Sequence, residues 1–276
     1  MRFRLYREHG ALNSVPVFDA FEKGLLALGH ESVTTDGIPV IWSVLWSGRM
    51  AANQQIYNKC RAEGKPIVIL EVGSLKRGTT WRVSVNNING LGIFGNELSL
   101  DQGRPEKLGI SLKPLQEKRR GDILIATQHE HSLQWEGMSP MKTWVEETVN
   151  KIQQHTNRRI VVRPHPRSPF PLRIQNITIE KPQRVSGTYD NFDIFYGYHC
   201  VVNYNSGPAV QAALNGIPVI CDWSSLAGEL SGTIENIENI TLPDRTDWFL
   251  KLCHTEWTIG EIAQGIPLSR LLDKLS

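Results

Sequence analysis

Residues 201–220 read VVNYNSGPAVQAALNGIPVI, and this stretch indicates the fold class. An apolar run passes through an Asn-Ser-Gly turn into a helical segment with Pro208 near its start and Gly216 at its end. Proline is favoured in the first turn of a helix and glycine just beyond its last turn. The apolar residues 217–220 then read as a second strand. The stretch predicts a strand, a helix and a strand in succession, which is the repeating unit of an α/β protein.

Other apolar runs of the same kind extend this pattern along the chain. The six runs, including the two above, lie at residues 39–46, 66–73, 122–128, 159–166, 199–207 and 217–225. They are rich in Val, Ile and Leu without polar alternation, which is typical of parallel strands covered on both faces. Apolar residues at helical spacing predict helices over 17–28, 51–62 and 141–155. We therefore predict an α/β protein of the doubly wound kind.

The length of 276 residues suits two domains of about 100–150 residues. Residues 96–121 combine Gly, Pro and charge before a new strand begins, so we place the domains at 1–115 and 116–276. Ligand sites in such sheets lie beyond the carboxyl ends of the strands, often in a cleft between two domains. For residues 256–275, folding back on the first domain and forming a surface helix both remain open.

Composition excludes several classes of protein. With 40% apolar and 21% charged residues, the chain is neither disordered nor fibrous. No apolar run approaches the ~20 residues of a membrane span, and the N-terminal residues lack a signal peptide's apolar stretch, so we expect a cytoplasmic protein. The four cysteines have no CxxC spacing, which favours reduced core thiols. The net charge of +2 does not by itself indicate nucleic-acid binding.

Basic residues are nevertheless clustered. They lie at Lys76, Arg77 and Arg82, at Lys118, Arg119 and Arg120, and at Arg158, Arg159, Arg163 and Arg167. Such clusters form either a solvated surface or a phosphate-binding surface.

Residues 161–169, VVRPHPRSP, hold His165 between two prolines, with Arg163 and Arg167 on either side. An imidazolium or guanidinium group there would complement a phosphate, although a lone histidine is more often structural. The Asn205-Ser206-Gly207 turn offers a second anion site, because the unpaired N–H groups and the positive end of a helix favour phosphate. A plain helix cap is the alternative reading of that turn.

Glu71 ends another predicted strand and is followed closely by Gly73. A carboxylate in an apolar cleft can accept a proton from a hydroxyl, so Glu71 is a candidate general base. A salt bridge with Lys76 or Arg77 is the alternative. Trp81 could stack on a sugar or a base.

The loop TQHEHSLQW, residues 127–135, offers Gln128 and Gln134 to position a ligand. Its H-x-H pattern lacks a third ligand at a recognisable spacing, so we predict no metal site.

Taken in order, Glu71-Val72-Gly73, His165-Pro166 and Asn205-Ser206 before ALNGIPVI resemble motifs of the capsule polysaccharide biosynthesis glycosyltransferases and bacterial polysialyltransferases. The resemblance implies a GT-B-like fold, with residues 1–115 as an acceptor-side and 116–276 as a nucleotide-sugar-binding Rossmann-like domain. It implies that Glu71 is the catalytic base and that His165 and Ser206 contact the donor phosphate. Gln128 sits where that family also has a glutamine. Val72 replaces the family's second acidic residue, and Asn205 replaces a serine.

The predicted site residues fall into three groups. Glu71 and His165 are catalytic; Arg163, His165, Arg167, Asn205, Ser206, Gly207 and Gln128 bind the donor; Lys76, Arg77, Trp81, Arg82 and Gln134 bind the acceptor. We expect no metal and no cofactor besides the nucleotide sugar as co-substrate.

The segments ALNSVPVFDAFEKG (11–24) and GRMAANQQIY (48–57) resemble uncharacterised bacteriophage-encoded proteins. Phage glycosyltransferases of this type commonly modify hydroxymethylated bases, so this resemblance implies a UDP-sugar-type donor, a 5-hydroxymethylpyrimidine acceptor in DNA and a host cytoplasm. A bacterial surface or capsule glycan is the alternative acceptor. A non-catalytic nucleotide-binding module, or a sugar-nucleotide epimerase using Glu130 and His131, also remains open.

Overall fold

The computed structural model describes residues 1–116, 121–171, 174–181 and 197–276. The strands are β1 (Arg2–Leu5), β2 (Glu31–Val33), β3 (Ile38–Trp42), β4 (Val68–Val72), β5 (Thr80–Val85), β6 (Ile123–Ala126), β7 (Ile160–Arg163), β8 (Ile177–Ile179), β9 (Cys200–Val202), β10 (Val219–Ile220) and β11 (Glu256–Thr258). The α-helices are α1 (Val15–Ala27), α2 (Asn53–Ala62), α3 (Arg104–Leu108), α4 (Met141–Gln153), α5 (Gly207–Leu214), α6 (Thr246–Cys253), α7 (Ile259–Ala263) and α8 (Ile266–Ser269).

These elements confirm the six strands and three helices predicted above. The described residues form two compact units. The first contains Met1–Gly109, His131–Leu133 and Leu250–Ser276, and the second contains Ile110–Glu130 and Gln134–Phe249. These units differ from the predicted boundaries of 1–115 and 116–276, because the last residues of the chain pack with the first unit.

The first unit is built on a sheet with the strand order β11-β5-β4-β3-β1-β2. Strands β2, β1, β3 and β4 are parallel, whereas β5 runs antiparallel to β4 and β11 antiparallel to β5. The parallel part is the predicted α/β sheet, and the antiparallel part extends it at one edge.

Both faces of this sheet are covered, which explains why its central strands are continuously apolar. Val68 and Leu70 of β4 belong to one core, together with Phe18 of α1. Ile69 belongs to a second core, together with Tyr57 of α2. Successive side chains of a strand alternate between faces, so both sets must be apolar when neither face meets water. Each fully buried large side chain contributes about 1.5–3 kcal/mol.

The C-terminal segment completes this unit. α7 packs on α1, where a Cβ at Gly24 would collide with the carbonyl of Ile262, so only glycine allows this approach. Thr258 and Glu261 form a capping box at the start of α7. Leu268 and Leu271 are buried in the same core as α1. The segment is therefore part of the first unit and not a surface helix.

The second unit contains a sheet with the strand order β10-β9-β6-β7-β8, in which every pair of neighbours is parallel. One core combines Ile123 and Val162 of the sheet with Val145 and Val149 of α4. Residues 208–214 of α5 are all buried. The α/β class with two Rossmann-like, mostly parallel sheets is confirmed.

Three further predictions meet the structure here. The four cysteines are free thiols, and Cys60, Cys200 and Cys253 are buried, as expected for core residues. In the part of the chain that the structure describes, no helix combines the length and the apolar character needed to cross a bilayer. The basic cluster Lys118, Arg119 and Arg120 lies outside the described residues.

Candidate functional site

The carboxyl ends of the parallel strands in the second unit carry most of its polar candidates. β6 is followed by Thr127 and Gln128, β7 by Pro164 and His165, and β9 by Asn203, Tyr204, Asn205 and Ser206. The sheet order reverses between β6 and β9, because β7 and β8 extend one side of β6 while β9 and β10 extend the other. Such a switch point is where open α/β sheets bind their ligands. We call Thr127, Gln128, His165, Asn203, Asn205 and Ser206 the tip cluster.

An amide pair joins the ends of β6 and β9. Gln128 Nε2 donates to Asn205 Oδ1 at 3.1 Å, and the backbone N–H of Asn205 donates to Gln128 Oε1 at 3.2 Å. Asn205 Nδ2 donates in turn to Ser224 Oγ at 3.0 Å. Both amides are almost fully buried, with 3% of Gln128 and 6% of Asn205 exposed. Because both amides are buried and hydrogen-bonded to protein groups, they hold the tip cluster in place and are poorly placed to bind a ligand directly.

The turn before α5 presents the start of a helix. Asn203 Nδ2 donates to the carbonyl of Ala126 at 2.7 Å and to Ser206 Oγ at 3.0 Å, while the N–H of Ser206 donates to Asn203 Oδ1 at 2.8 Å. Ser206 is the N-cap residue, yet its side chain makes no capping hydrogen bond. Its partner is Asn203, so the Ser206 hydroxyl does not form the plain helix cap that was the alternative reading of this turn. The uncapped first turn, beginning at Gly207, retains its affinity for an anion.

His165 lies in a tight turn at the end of β7. The backbone N–H of His165 donates to Thr127 Oγ1 at 2.8 Å, and the backbone N–H of Ser168 donates to the carbonyl of His165 at 3.0 Å. Nδ1 accepts the backbone N–H of Arg167 at 3.2 Å, so the neutral ring carries its proton on Nε2. The ring also contacts that of His129 edge-on, with centroids 5.4 Å apart. An N–H donor with a fixed orientation suits a phosphate oxygen.

The separation across the tip cluster can be estimated from the sheet. β7 and β9 both pair with β6. Neighbouring strands are about 4.8 Å apart, so β7 and β9 lie roughly 10 Å apart on either side of β6, and the turns at His165 and Ser206 extend from the same edge of the sheet. A phosphate ester that contacts both would lie above the end of β6.

The two arginines beside His165 have different environments. Arg163 is buried, and its Nη2 donates to Glu180 Oε1 at 2.8 Å. Glu180 also accepts the hydroxyl of Tyr198, whose pKa burial raises to about 12 and which therefore stays protonated. This ion pair, in which only Arg163 is buried, favours a structural role for Arg163 instead of the predicted role in donor binding. Arg167 is exposed beside His165.

Glu71 of the first unit is held by short hydrogen bonds. Ser43 Oγ donates to its Oε2 at 2.6 Å, and the N–H of Val72 donates to its Oε1 at 2.8 Å. Ser43 has a φ of 63°, a strained conformation for a residue other than glycine. The Lys76 ammonium instead reaches the carbonyl of Leu108 at 3.4 Å. Glu71 is half-buried, a position that leaves a carboxylate both ordered and accessible.

Position 73 requires glycine, because the carboxylate of Glu256 occupies the space that a side chain there would take. A Cβ at Gly73 would collide with Glu256 and with the carbonyl of Thr80. Glu256 Oε1 accepts the N–H of Ser74 at 2.5 Å, and Oε2 accepts the N–H of Leu75 at 2.9 Å. A glutamate on β11 therefore anchors the loop that follows Glu71.

Two residues predicted to bind the acceptor are in the core instead. Trp81 lies on β5, is buried, and pairs in register with Trp257 of β11. Arg82 is buried beside Glu256, with Arg82 Nε 3.4 Å from Glu256 Oε1, and donates to Ser74 Oγ and to the carbonyl of Ile88. Neither placement favours contact with an acceptor, because the ring and the guanidinium are enclosed by protein.

Glu130, in the loop after β6, caps the start of α4. Glu130 Oε1 accepts the N–H of Met141, the first residue of α4, at 2.6 Å. This role does not support the epimerase hypothesis, in which Glu130 would be catalytic. The carbonyl of Gln134 accepts a bond from Gln128 Nε2 at 3.5 Å. Among the described residues, no three His, Cys, Asp or Glu side chains converge as metal ligands would.

Several residues of this edge are missing from the sequence-based set. Thr127 and Asn203 support His165 and Ser206 directly, and Ser224 supports Asn205. The sequence signal for these residues is that polar residues follow each apolar run, as DWSS (222–225) follows the apolar residues 217–221.

Comparisons with known proteins bear on the fold. No protein-family profile matches the chain, and no curated protein is significantly similar to it in sequence. Among solved structures, it is similar to the KpsC beta Kdo 2,4 transferase of Thermosulfurimonas dismutans, with a TM-score of 0.53, 12% identity, and 95% of this chain and 98% of that chain covered. It is also similar to the KpsC beta Kdo 2,7 transferase of the same organism, with a TM-score of 0.53, 15% identity, and 97% and 99% covered. At this identity the likeness shows a shared fold.

Proposed function

We propose that this chain is a glycosyltransferase that uses a nucleotide sugar as donor. The observation that carries the proposal is the tip cluster, in which an uncapped helix start and an oriented histidine flank the switch point of a parallel sheet. This arrangement suits a phosphate ester. Two solved structures of similar fold are transferases of the sugar Kdo, which supports the same chemistry here.

In the proposed reaction, the acceptor hydroxyl forms a bond to the anomeric carbon of the donor sugar. The bond between that carbon and the phosphate oxygen breaks, and the phosphate departs with the electron pair. Glu71 is the proposed general base for the proton of the hydroxyl, and within the first unit Ser43 and Val72 keep its carboxylate oriented. His165 Nε2–H, the N–H of Gly207 and Ser206 Oγ stabilise the charge that develops on the phosphate.

For the acceptor we propose a glycan hydroxyl, as in a bacterial surface or capsule polysaccharide. The Kdo transferases of similar fold support this choice. A hydroxymethylpyrimidine in DNA is the acceptor that the resemblance to bacteriophage-encoded proteins implied first, with Lys76, Arg77 and Arg82 expected to contact it. We place it second, because Arg82 is buried in an ion pair and Lys76 bonds a carbonyl.

The test combines donor binding with product analysis. The protein is offered CMP-, UDP- and GDP-sugars with either an oligosaccharide or hydroxymethylated DNA, and products are identified by mass spectrometry. Glu71→Gln is expected to lose about 10²–10⁴-fold in kcat with donor affinity kept. His165→Ala is expected to weaken donor binding about 10- to 100-fold, the value of a hydrogen bond to a charged group.

Matched controls separate these effects from general damage. Glu146→Gln and His155→Ala replace the same residue types at solvent-accessible positions on and after α4, and should leave both quantities unchanged. Wild-type rates in both Glu71→Gln and His165→Ala would refute the mechanism. Donor binding without transfer to any acceptor would instead favour a non-catalytic nucleotide-binding module.

A further inference from the structure

Trp223 is the exception among the tryptophans of this protein. All eight lie in described residues, and Trp223 has 73% of its surface exposed. The others, Trp42, Trp46, Trp81, Trp135, Trp144, Trp248 and Trp257, are buried or half-buried. An indole ring buries 150–250 Å² when covered, so leaving it in water forgoes up to several kcal/mol of burial.

The backbone that carries Trp223 is nevertheless fixed. The N–H of Ser225 donates to the carbonyl of Asp222 at 2.9 Å, closing a four-residue turn around Trp223 and Ser224. Asp222 Oδ1 accepts the N–H of Ser224 at 2.9 Å and its hydroxyl at 2.5 Å. The exposed ring is therefore presented by an ordered turn, which lowers the entropic cost of binding a partner.

This turn is bonded directly to the tip cluster. The N–H of Asp222 donates to the carbonyl of Tyr204 at 2.8 Å, and Asn205 Nδ2 donates to Ser224 Oγ at 3.0 Å. The residues on both sides of Trp223 thus contact the residues that immediately precede Ser206. β10, from which the turn emerges, is the neighbour of β9 at the same edge of the sheet.

The charged groups along this edge of the sheet favour one orientation of a bound nucleotide. The carboxylate of Asp222 lies next to Trp223 and disfavours a phosphate there, whereas the α5 start and His165 favour one. When the phosphate of a nucleotide lies over Ser206, the other end of the nucleotide is its uncharged base. The base can then lie on the side of the sheet edge that carries Trp223.

We infer that Trp223 is the stacking surface for the nucleobase of the donor. The inference rests on the proposed function, because it adds Trp223 to the same site and assigns it to the base of the same nucleotide sugar. Stacking of a base on an aromatic ring contributes about 1–3 kcal/mol and tolerates any base. Trp223 accordingly supplies affinity for a nucleotide, and base selection falls to other groups.

The experiment measures the affinity of CMP, UMP and GMP, and of ribose 5-phosphate as a ligand without a base, by isothermal titration calorimetry. Trp223→Ala is expected to weaken binding of the best mononucleotide about 5- to 150-fold, which corresponds to the stacking energy. Its affinity for ribose 5-phosphate should stay unchanged. Trp223→Phe should keep most of the affinity, and Ile179→Ala, which removes another exposed apolar side chain of the second unit, should change neither ligand.

The possible outcomes are distinct. If Trp223→Ala binds mononucleotides as the wild type does, or loses ribose 5-phosphate equally, the inference is wrong while the proposed function stands. If the variant instead raises only the KM for an acceptor, the ring contacts the acceptor and the inference is again wrong. If the wild type binds neither mononucleotides nor ribose 5-phosphate, the proposed function itself fails and the inference with it.

Discussion

Replacing Glu256 with glutamine should reveal how much the first unit depends on one buried charge. Glu256 is fully buried, with 0% of its surface exposed, and lies 3.4 Å from Arg82. Its carboxylate also accepts the N–H groups of Ser74 and Leu75 and the hydroxyl of Thr80, the last at 2.8 Å. Glu256→Gln keeps the volume and removes the charge.

The magnitude follows from what is left behind. Arg82 stays charged and buried without its counterion, and breaking a buried pair from one side costs about 3–5 kcal/mol. Whichever oxygen becomes the amide nitrogen then faces an N–H donor, which adds to the loss. Domains are stable by about 5–15 kcal/mol, so the change removes a large part of the first unit's stability. Arg82→Met should cost at least about 1 kcal/mol less, because Glu256 keeps its three other donors.

Urea unfolding of the single variants and of the double variant measures this coupling, with Glu146→Gln as the exposed control. Hydrogen exchange at Ser74 and Leu75 gives a local readout, because their amides are the donors to Glu256. The two substitutions should be non-additive by about 1 kcal/mol or more. A loss below about 1 kcal/mol in Glu256→Gln, or additive costs, would refute the reasoning.

Three further measurements test buried or partly buried groups elsewhere in the protein. Asn205→Ala removes the side-chain acceptor of Gln128 Nε2 and the donor to Ser224 Oγ, although the backbone N–H of residue 205 still bonds Gln128 Oε1; it should cost about 1–3 kcal/mol in urea unfolding of the second unit, and an unchanged midpoint would contradict it. Burial raises the pKa of Cys221 from 9.0 to about 11, so its thiol should react slowly with Ellman's reagent at pH 8 until the protein is denatured, and rapid native labelling would contradict this. Burial lowers the pKa of His254 below 6.5, so the unfolded state takes up the proton first; stability should fall as pH drops below about 6.5, and less so in His254→Gln.

The strands that were predicted share one property, and the strands that were missed lack it. β4, β6 and β7 are continuous apolar runs, because both faces of their sheets are covered. β1 reads Arg-Phe-Arg-Leu, and its charged side chains conceal a strand whose Phe3 is fully buried. β5 contains Arg82, which looks like a surface residue until Glu256, far along the chain, is seen beside it. Partners so distant in sequence leave no local pattern.

The candidate site was predicted in the same uneven way. The turns at His165 and Ser206 could be predicted because proline, glycine and helix signals mark them locally, whereas the roles of the two residues stay predictions. Arg163 and Arg82 were misplaced, because an arginine in a sequence shows its charge and not its counterion. Trp223 was missed, because only exposure in the folded protein distinguishes it from the seven tryptophans that pack.

The placement of residues 250–276 with residues 1–109 has a consequence for biogenesis. Among the described residues β11 is the strand that comes last in sequence, and it supplies Glu256 to the sheet that contains β1. On the ribosome, the residues of the second unit are made before this strand, so Arg82 waits for its counterion until residues 110–249 have been synthesised. Domains usually mature from the amino end during translation. Here the first unit can complete its sheet only after the second unit has been synthesised, so a chain that stops before β11 leaves the first unit incomplete for chaperones or proteases to recognise.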